Sequence, residues 1–260
     1  MLLRETGFTY NGIHSRSDMG LIYSEKDGHP AIAEIERNEY DIAGADGTLL
    51  LPGERRKPMT FEGTLYPAAE PATQAEAQAL IRRVEAWLTA GRCPLIFDYE
   101  PEVFYLAELT GMVKWSLKNW FGGELGVKFT AQPWAYAVAP TIVTKETQSS
   151  ETTVTLQLNT GHPAPLSVEI ENTGTATITE LDIGSSVQLR DLSVGVGSVI
   201  AVRFETPVGV TIDGVSAMPK VIRFEPVTVQ NGGNVIPFRF GMGSSGAYGV
   251  RIRAGARGRW

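Results

Sequence analysis

The residues whose types and spacing could do chemistry are an acidic cluster, three histidines and one glycine-rich loop. Asp98, Glu100 and Glu102 fall within five residues. Glycoside hydrolysis needs two carboxyls facing a sugar, one as acid and one as base or nucleophile, and Asp98 and Glu102 are the pair such an enzyme would use. Asp98 and Glu100 share one strand face, however, and Pro101 breaks the run, so a solvated strand end or turn is the better reading. His14, His29 and His162 are scattered, without the H-x-H or H-E-x-x-H spacing that places two imidazoles on one metal. Gly241-Met242-Gly243-Ser244-Ser245-Gly246 matches G-x-G-x-x-G. A dinucleotide site requires a helix after that loop, so that the pyrophosphate meets the helix N-terminus. Here AYGVRIR follows, which reads as a strand, and the loop is expected to close a hairpin. No G-x-S-x-G elbow occurs. No residue is assigned as catalytic, cofactor-binding or metal-ligating, and an enzyme is not expected.

Composition narrows the classes further. The single cysteine, Cys93, excludes a disulfide framework and argues against a four-ligand zinc site; a buried structural thiol is expected. The net charge of −6 is uneven: residues 1–140 hold 13 basic and 19 acidic side chains, and the other 120 residues hold ten of each. That is no footprint for gripping DNA. The opening MLLRETGF lacks the apolar core of a signal peptide, and no run of about 18 apolar residues occurs. Folding in a cytoplasm, without membrane insertion, is expected.

One helix stands out among strands. Pro71 stops the chain before it, and Thr73 and Glu76 have the spacing of a capping box. Ala77, Leu80, Ile81, Val84 and Leu88 repeat with the helical period, and Gly91 can end the helix in a left-handed conformation. The helix is expected over 73–90, its apolar face on the flanking strands.

Before it, FTYNGIHS (8–15) alternates into an Asn11-Gly12 turn, the strongest short hairpin signal. Further strands are expected at 20–23, 31–36 and 57–66. Residues 39–58 differ: a turn at Asp46-Gly47, the consecutive Leu49, Leu50 and Leu51, then a charged run with Arg55 and Arg56. Three adjacent leucines need cover that an exposed loop does not supply, so this stretch is expected to be a protruding arm. After the helix, strands are expected at 95–99, 103–109, 112–117 and 125–130, and the unit closes near Pro133-Trp134-Ala135-Tyr136.

Residues 137–152 read as a linker. Beyond it, short strands recur every 8–12 residues with turn signals such as Asp213-Gly214 and Asn231-Gly232, the spacing of an all-β sandwich. Between 141 and 247 there is no Trp and no Tyr, which weakens a carbohydrate-binding reading, since sugars stack on such rings. Arg251, Arg253, Arg257 and Arg259 alternate as on an edge strand. The fold class is thus mainly β: a β-rich N-terminal domain with one α-helix and a protruding arm, then a β-sandwich.

Several of these segments, in this order, resemble the siphophage distal tail protein family. Phe8-Thr9-Tyr10-Asn11-Gly12-Ile13-His14-Ser15 with Met19-Gly20-Leu21 is similar to the family's opening, and Asp41-Ile42-Ala43-Gly44-Ala45-Asp46-Gly47 resembles the I-x-G-x-D-G segment of its arm. The helix ending in Trp87-Leu88, then Leu95-Ile96-Phe97-Asp98, then Phe104-Tyr105-Leu106-Ala107, follow in the family's order. Ala131-Gln132-Pro133-Trp134-Ala135-Tyr136 is similar to the motif closing the first domain. Ala43 stands where the family often has Pro, Ala131 where it more often has Cys, and Trp134 where it more often has Tyr.

The resemblance implies a non-enzymatic virion structural protein of a siphovirus or prophage. It implies a homo-hexameric ring at the tail tip that joins the tail tube protein to tail-tip, tail-associated and baseplate proteins, with DNA only in transit through its channel. Residues 1–138 would form the ring. Its arm (about 39–58, with Asp46, Gly47, Leu49, Leu50, Leu51, Arg55 and Arg56) would reach a neighbouring subunit. Residues 139–250 would be a galectin-like sandwich, a platform for receptor-binding proteins, and residues 251–260 a tail able to fold back on the first domain. Assembly would occur in the bacterial host cytoplasm. A carbohydrate-binding module for host-wall glycan and, second, a glycoside hydrolase are the alternatives.

Overall fold

A computed structural model describes residues 6–260 except 27, 29, 31, 38, 43, 45, 47, 51–54, 70, 111–114, 118–122 and 206, with the backbone alone at 48–50 and 115–117. The chain divides into two compact units, Met1–Val138 and Ala139–Trp260.

The first unit contains β1 (Phe8–Tyr10), β2 (Ile13–His14), β3 (Leu21–Glu25), β4 (Ile35–Glu36), β5 (Glu39–Asp41), β6 (Thr48–Leu50), β7 (Arg55–Arg56), β8 (Met59–Pro67), α1 (Gln74–Leu88), β9 (Cys93–Phe97), β10 (Val103–Leu109), β11 (Trp115–Leu117) and β12 (Gly123–Ala137). Eight of these strands make one antiparallel sheet in the order β2-β1-β9-β10-β12-β8-β3, with β11 also on β12. Asn11 and Gly12 both have positive φ, 52° and 74°, as the tight β1–β2 turn requires. Alternate residues of these strands (Phe8, Tyr10, Tyr23, Phe61, Leu65, Leu95, Phe97, Phe129) turn inward onto Val84, Trp87 and Leu88 of α1.

Thr73 caps α1, its Oγ1 accepting the Glu76 N–H at 3.2 Å, while the Glu76 carboxylate accepts the Ala72 N–H at 2.9 Å. The helix is shorter than 73–90 and Gly91, at φ +86°, lies just beyond its end. Leu80 and Ile81 are only half-buried, and Trp87 fills the place expected of them. Cys93 is half-buried, not buried. It opens β9 and packs at the edge of the core, with its Sγ 3.8 Å from the Ala90 carbonyl oxygen.

Pro133 lies inside β12, which runs past the strand expected at 125–130. Between the pairs Tyr105↔Ala135 and Ala107↔Ala131 the register shifts, so β12 carries the extra residues as a bulge. A bulge tolerates a proline that an unbroken interior strand would not.

The second unit holds β13 (Thr141–Thr147), β14 (Glu151–Leu158), β15 (Ala164–Asn172), β16 (Ile178–Ile183), β17 (Val187–Leu189), β18 (Val199–Arg203), β19 (Gly209–Ile212), β20 (Val215–Ser216), β21 (Val221–Phe224), β22 (Thr228–Val229), β23 (Gly232–Met242) and β24 (Val250–Ala256). They form a seven-stranded sheet, β13-β24-β15-β18-β19-β20 with β22 on β15, and a five-stranded one, β14-β23-β16-β17-β21. Inward side chains of both build one core, from Val154 and Leu156 through Val168, Ile170 and Phe238 to Ile252 and Ala254. This is a β-sandwich.

Three expectations change here. The linker at 137–152 is instead β13 and the turn into β14; its Thr-rich strand looks polar because it lies at a sheet edge. The G-x-G-x-x-G loop joins β23 of one sheet to β24 of the other, so it is a crossover and not a hairpin. The residues after 250 do not form a separate tail. Val250–Ala256 is an interior strand between β13 and β15, with Ile252, Ala254 and Ala256 in the core. The last residues lie on the loop at 159–162, where the Arg259 carbonyl accepts the N–H groups of Gly161 and His162. Arg251 is therefore on no edge: it sits between Glu146 and Glu171, 2.8 Å from each.

Candidate functional site

The arm emerges from the first unit as two stacked ladders. At its base, β4 pairs with β7 (Ile35↔Arg56, Glu36↔Arg55); farther out, β5 pairs with β6 (Glu39↔Leu50, Tyr40↔Leu49, Asp41↔Thr48). The base is tied down twice. Lys57 Nζ lies 2.7 Å from Glu34 Oε1, an ion pair that raises the Lys57 pKa above its ordinary value, and the Lys57 N–H donates to the Glu34 carbonyl. The Arg56 guanidinium stacks 4.7 Å above the Trp134 ring of β12, a cation–π contact.

Beyond that base, apolar side chains face solvent: Tyr40 is 58% exposed, Ile42 50%, and Ile32, before the arm, 74%. Of the residues singled out from the sequence, Asp46 and Arg55 are exposed and Arg56 is the anchor over Trp134. Leu49 and Leu50 are placed by backbone in β6; Gly47 and Leu51 lie outside the described residues. Tyr40 and Ile42 fall within the expected arm at 39–58 but were not among its singled-out contact residues, although they alternate with Glu39 and Asp41.

The acidic cluster does not assemble a reaction centre. Asp98 Oδ1 lies 3.0 Å from His14 Nε2. His14 Nδ1 accepts the Arg16 and Ser17 N–H groups at 3.2 and 3.1 Å, so Nε2 carries the proton and donates to Asp98. The pair clips the β1–β2 hairpin to the end of β9, and Gly7 fits beneath it because a Cβ there would lie 2.6 Å from Asp98 Oδ2. Glu100 accepts the Tyr105 hydroxyl at 3.1 Å; Glu102 is exposed in the turn before β10. His162 gives its carbonyl to the Thr160 hydroxyl, and His29 lies outside the described residues. Among the described residues, no group of three or more His, Cys, Asp or Glu could hold a metal.

On the sandwich, a groove of about 250 Å³ crosses the outer face of the seven-stranded sheet, lined by residues including Ile142, Pro165, Ser167, Glu169 and Arg253. Its lining has no aromatic ring for a sugar to stack on. Arg253 reaches Glu169 at 3.7 Å, as Arg203 does at 3.8 Å, so the charges on this face pair across strands.

No family model matches the sequence, and no curated protein matches it. Solved structures do. The chain is similar to the Dit protein of phage SPP1, described as a paradigm of the hub adsorption apparatus in phages infecting Gram-positive bacteria. The identity is 16%, the TM-score 0.71, and the match covers 98% of this chain and 99% of that one. It is also similar to a chain of the phage p2 baseplate in its activated conformation, at 8% identity and TM-score 0.53, over 95% and 97% of the two chains. The β-rich first unit with its single helix, and the sandwich after it, thus make up a Dit-like fold from end to end.

Proposed function

We propose that this chain is a structural hub of a siphophage or prophage tail tip. Six copies close a ring between the tail tube and the tip or baseplate, DNA passes through the channel, and the sandwich carries adhesion proteins. One observation carries this reading: the likeness to a phage hub runs through both units, over 98% of the chain. A shared sandwich alone would fit many functions; a β-rich unit with one helix and an arm, fused to that sandwich, is far more restrictive.

Two features of the chain support it. The arm offers Tyr40 and Ile42 to solvent, and a head-to-tail contact that closes on itself generates a ring. Residues 1–140 hold the whole net negative charge, and phosphate binding depends on Lys and Arg, so a channel through this unit would pass DNA without gripping it. We read the role as non-enzymatic, with His14 holding Asp98 and the Tyr105 hydroxyl donating to Glu100.

The test is the solution mass of the purified chain by light scattering, with negative-stain imaging of the same sample. Six chains of 28.2 kDa give about 169 kDa, and a six-fold ring is expected in the images. A stable closed assembly of any other number, or a monomer that does not join rings when mixed with tail tubes, overturns the reading.

A further inference from the structure

β13 and β14 follow one another in sequence but lie in different sheets, and among the described residues each ends its sheet: β13 pairs only with β24, and β14 only with β23. One side of the sandwich is therefore bounded by two free edges. A free edge carries unpaired N–H and C=O groups and is a template for another strand. β14 (ETTVTLQL) is rich in Thr, Val and Leu, residues that suit a strand.

The free groups of β14 can be identified. The Phe240 N–H donates to the Ser150 carbonyl at 2.8 Å, and the register continues as Thr152↔Phe238 and Val154↔Ile236. In an antiparallel ladder, directly bonded pairs alternate with unbonded ones. Even-numbered residues thus bond to β23, and Glu151, Thr153, Thr155 and Gln157 point their backbone groups away from the sheet.

Two of those groups are occupied from within the chain. Ser149 Oγ accepts the Glu151 N–H at 3.3 Å. Lys145 Nζ donates to the Thr153 carbonyl at 2.7 Å. The route of that lysine is unusual. Lys145 stands opposite Ile252, which is fully buried, and Val143 opposite the equally buried Ala254. Residues directly opposite share a sheet face, so Lys145 leaves β13 on its core side and crosses the open margin between the sheets. A charge turned inward at an edge is a recognised obstacle to edge pairing.

We propose that Lys145 is an edge lock, which keeps β14 from pairing with β14 of a second copy by holding the Thr153 carbonyl. The second copy is the occupant that the edge itself fits. An antiparallel pair centred on Thr155 sets Thr153 of one chain against Gln157 of the other, both with outward backbone groups. Val154 and Leu156 of both chains then stay on the core side, so the five-stranded sheets join into one. The acceptor that Gln157 N–H of the second copy requires is the Thr153 carbonyl that Lys145 takes.

Sedimentation velocity on the full-length chain, across a hundredfold range of concentration, tests this. Lys145→Met should raise the mass above that of the wild-type chain, to a doubled mass where the wild type is a monomer and to linked assemblies where it is a ring with one β14 edge per copy, so a gain is expected with or without the ring. Lys145→Gln, which adds no apolar surface, should do the same, and Lys145→Arg should keep the wild-type mass. Adding Thr155→Pro to Lys145→Met should return the wild-type mass, because the Thr155 N–H points outward and its loss spares the β23 ladder. Circular dichroism melts identify the variants that fold. Wild-type mass for folded Lys145→Met or Lys145→Gln at every concentration overturns the proposal, as does a gain in mass that survives Thr155→Pro.

Discussion

Trp87 Nε1 donates to the Tyr10 carbonyl at 2.8 Å and so joins α1 to β1 across 77 residues of chain. The same indole stacks on Phe8, with centroids 5.4 Å apart and planes 14° from parallel. It thus holds the helix against the sheet both by packing and by bonding a carbonyl of β1. Trp87→Phe keeps an aromatic ring but removes the indole N–H that the Tyr10 carbonyl accepts, a loss of about 0.5–1.5 kcal/mol. Trp87→Ala also opens a cavity and should cost about 3–5 kcal/mol. Hydrogen exchange resolved by peptide should show the loss in residues 1–138, with protection in the sandwich unchanged.

Gly174 is confined by backbone, not by side chains. A Cβ there would lie 2.3 Å from the Ala247 carbonyl oxygen and 2.4 Å from the Gly249 N. Neither atom can move without breaking the bonds that hold the crossover after β23, in which the Thr173 and Gly174 N–H groups donate to the Gly249 carbonyl. Gly174→Ala should destabilise the sandwich by about 3 kcal/mol. Gly195, in the same unit, has open space where a Cβ would go, and Gly195→Ala should change stability by less than about 0.5 kcal/mol. Urea titrations of the two variants make the comparison; equal midpoints would refute it.

Burial raises the Tyr10 pKa from 10.0 to about 12, and nearby Cys93 and Glu108 push the same way. Burial likewise raises Tyr23 and Tyr105 above the ordinary tyrosine value. The folded state then keeps protons that the unfolded chain releases, and stability falls wherever the folded state binds more protons. The contribution from Tyr10 is complete below pH 10.0 and is lost as pH rises to about 12. The first unit should therefore melt at progressively lower temperature across that window. The tyrosinate absorbance that a Tyr10→Phe variant lacks should belong to the step that accompanies unfolding; its loss from a step in the still-folded protein would contradict the burial of Tyr10.

How legible each feature was depends on whether its cause is local. The Asn11-Gly12 turn, the Thr73 cap and the alternating strands of the second half are short-range effects, and each could be read from adjacent residues. The interior position of β24 could not. Arg251 and Arg253 look like an edge strand because their partners, Glu146, Glu171 and Glu169, lie far away in sequence. Trp87 was passed over for Leu80 and Ile81 because the helical period marks a face but not where the sheet beneath it ends. At the arm, the run Leu49–Leu51 drew attention by hydrophobicity alone, whereas Tyr40 and Ile42 gained meaning only once β5 was seen exposed outside the core.

The arm makes the assembly testable without touching either core. Tyr40 and Ile42 are at least half exposed, so Tyr40→Asp with Ile42→Asp should leave the melting temperature and the far-ultraviolet spectrum of the subunit unchanged. If those side chains are covered by a neighbour, each is worth about 1.5–3 kcal/mol when fully buried, which is a tenfold to hundredfold loss of affinity per side chain. A ring repeats that contact at every interface, so the double variant should be a monomer at concentrations where the wild-type chain is assembled. Leu49→Asp with Leu51→Asp, on the partner strand and just beyond it, should act in the same direction. Mass by light scattering decides the matter: a variant that folds and still forms the wild-type ring would remove the arm from the interface.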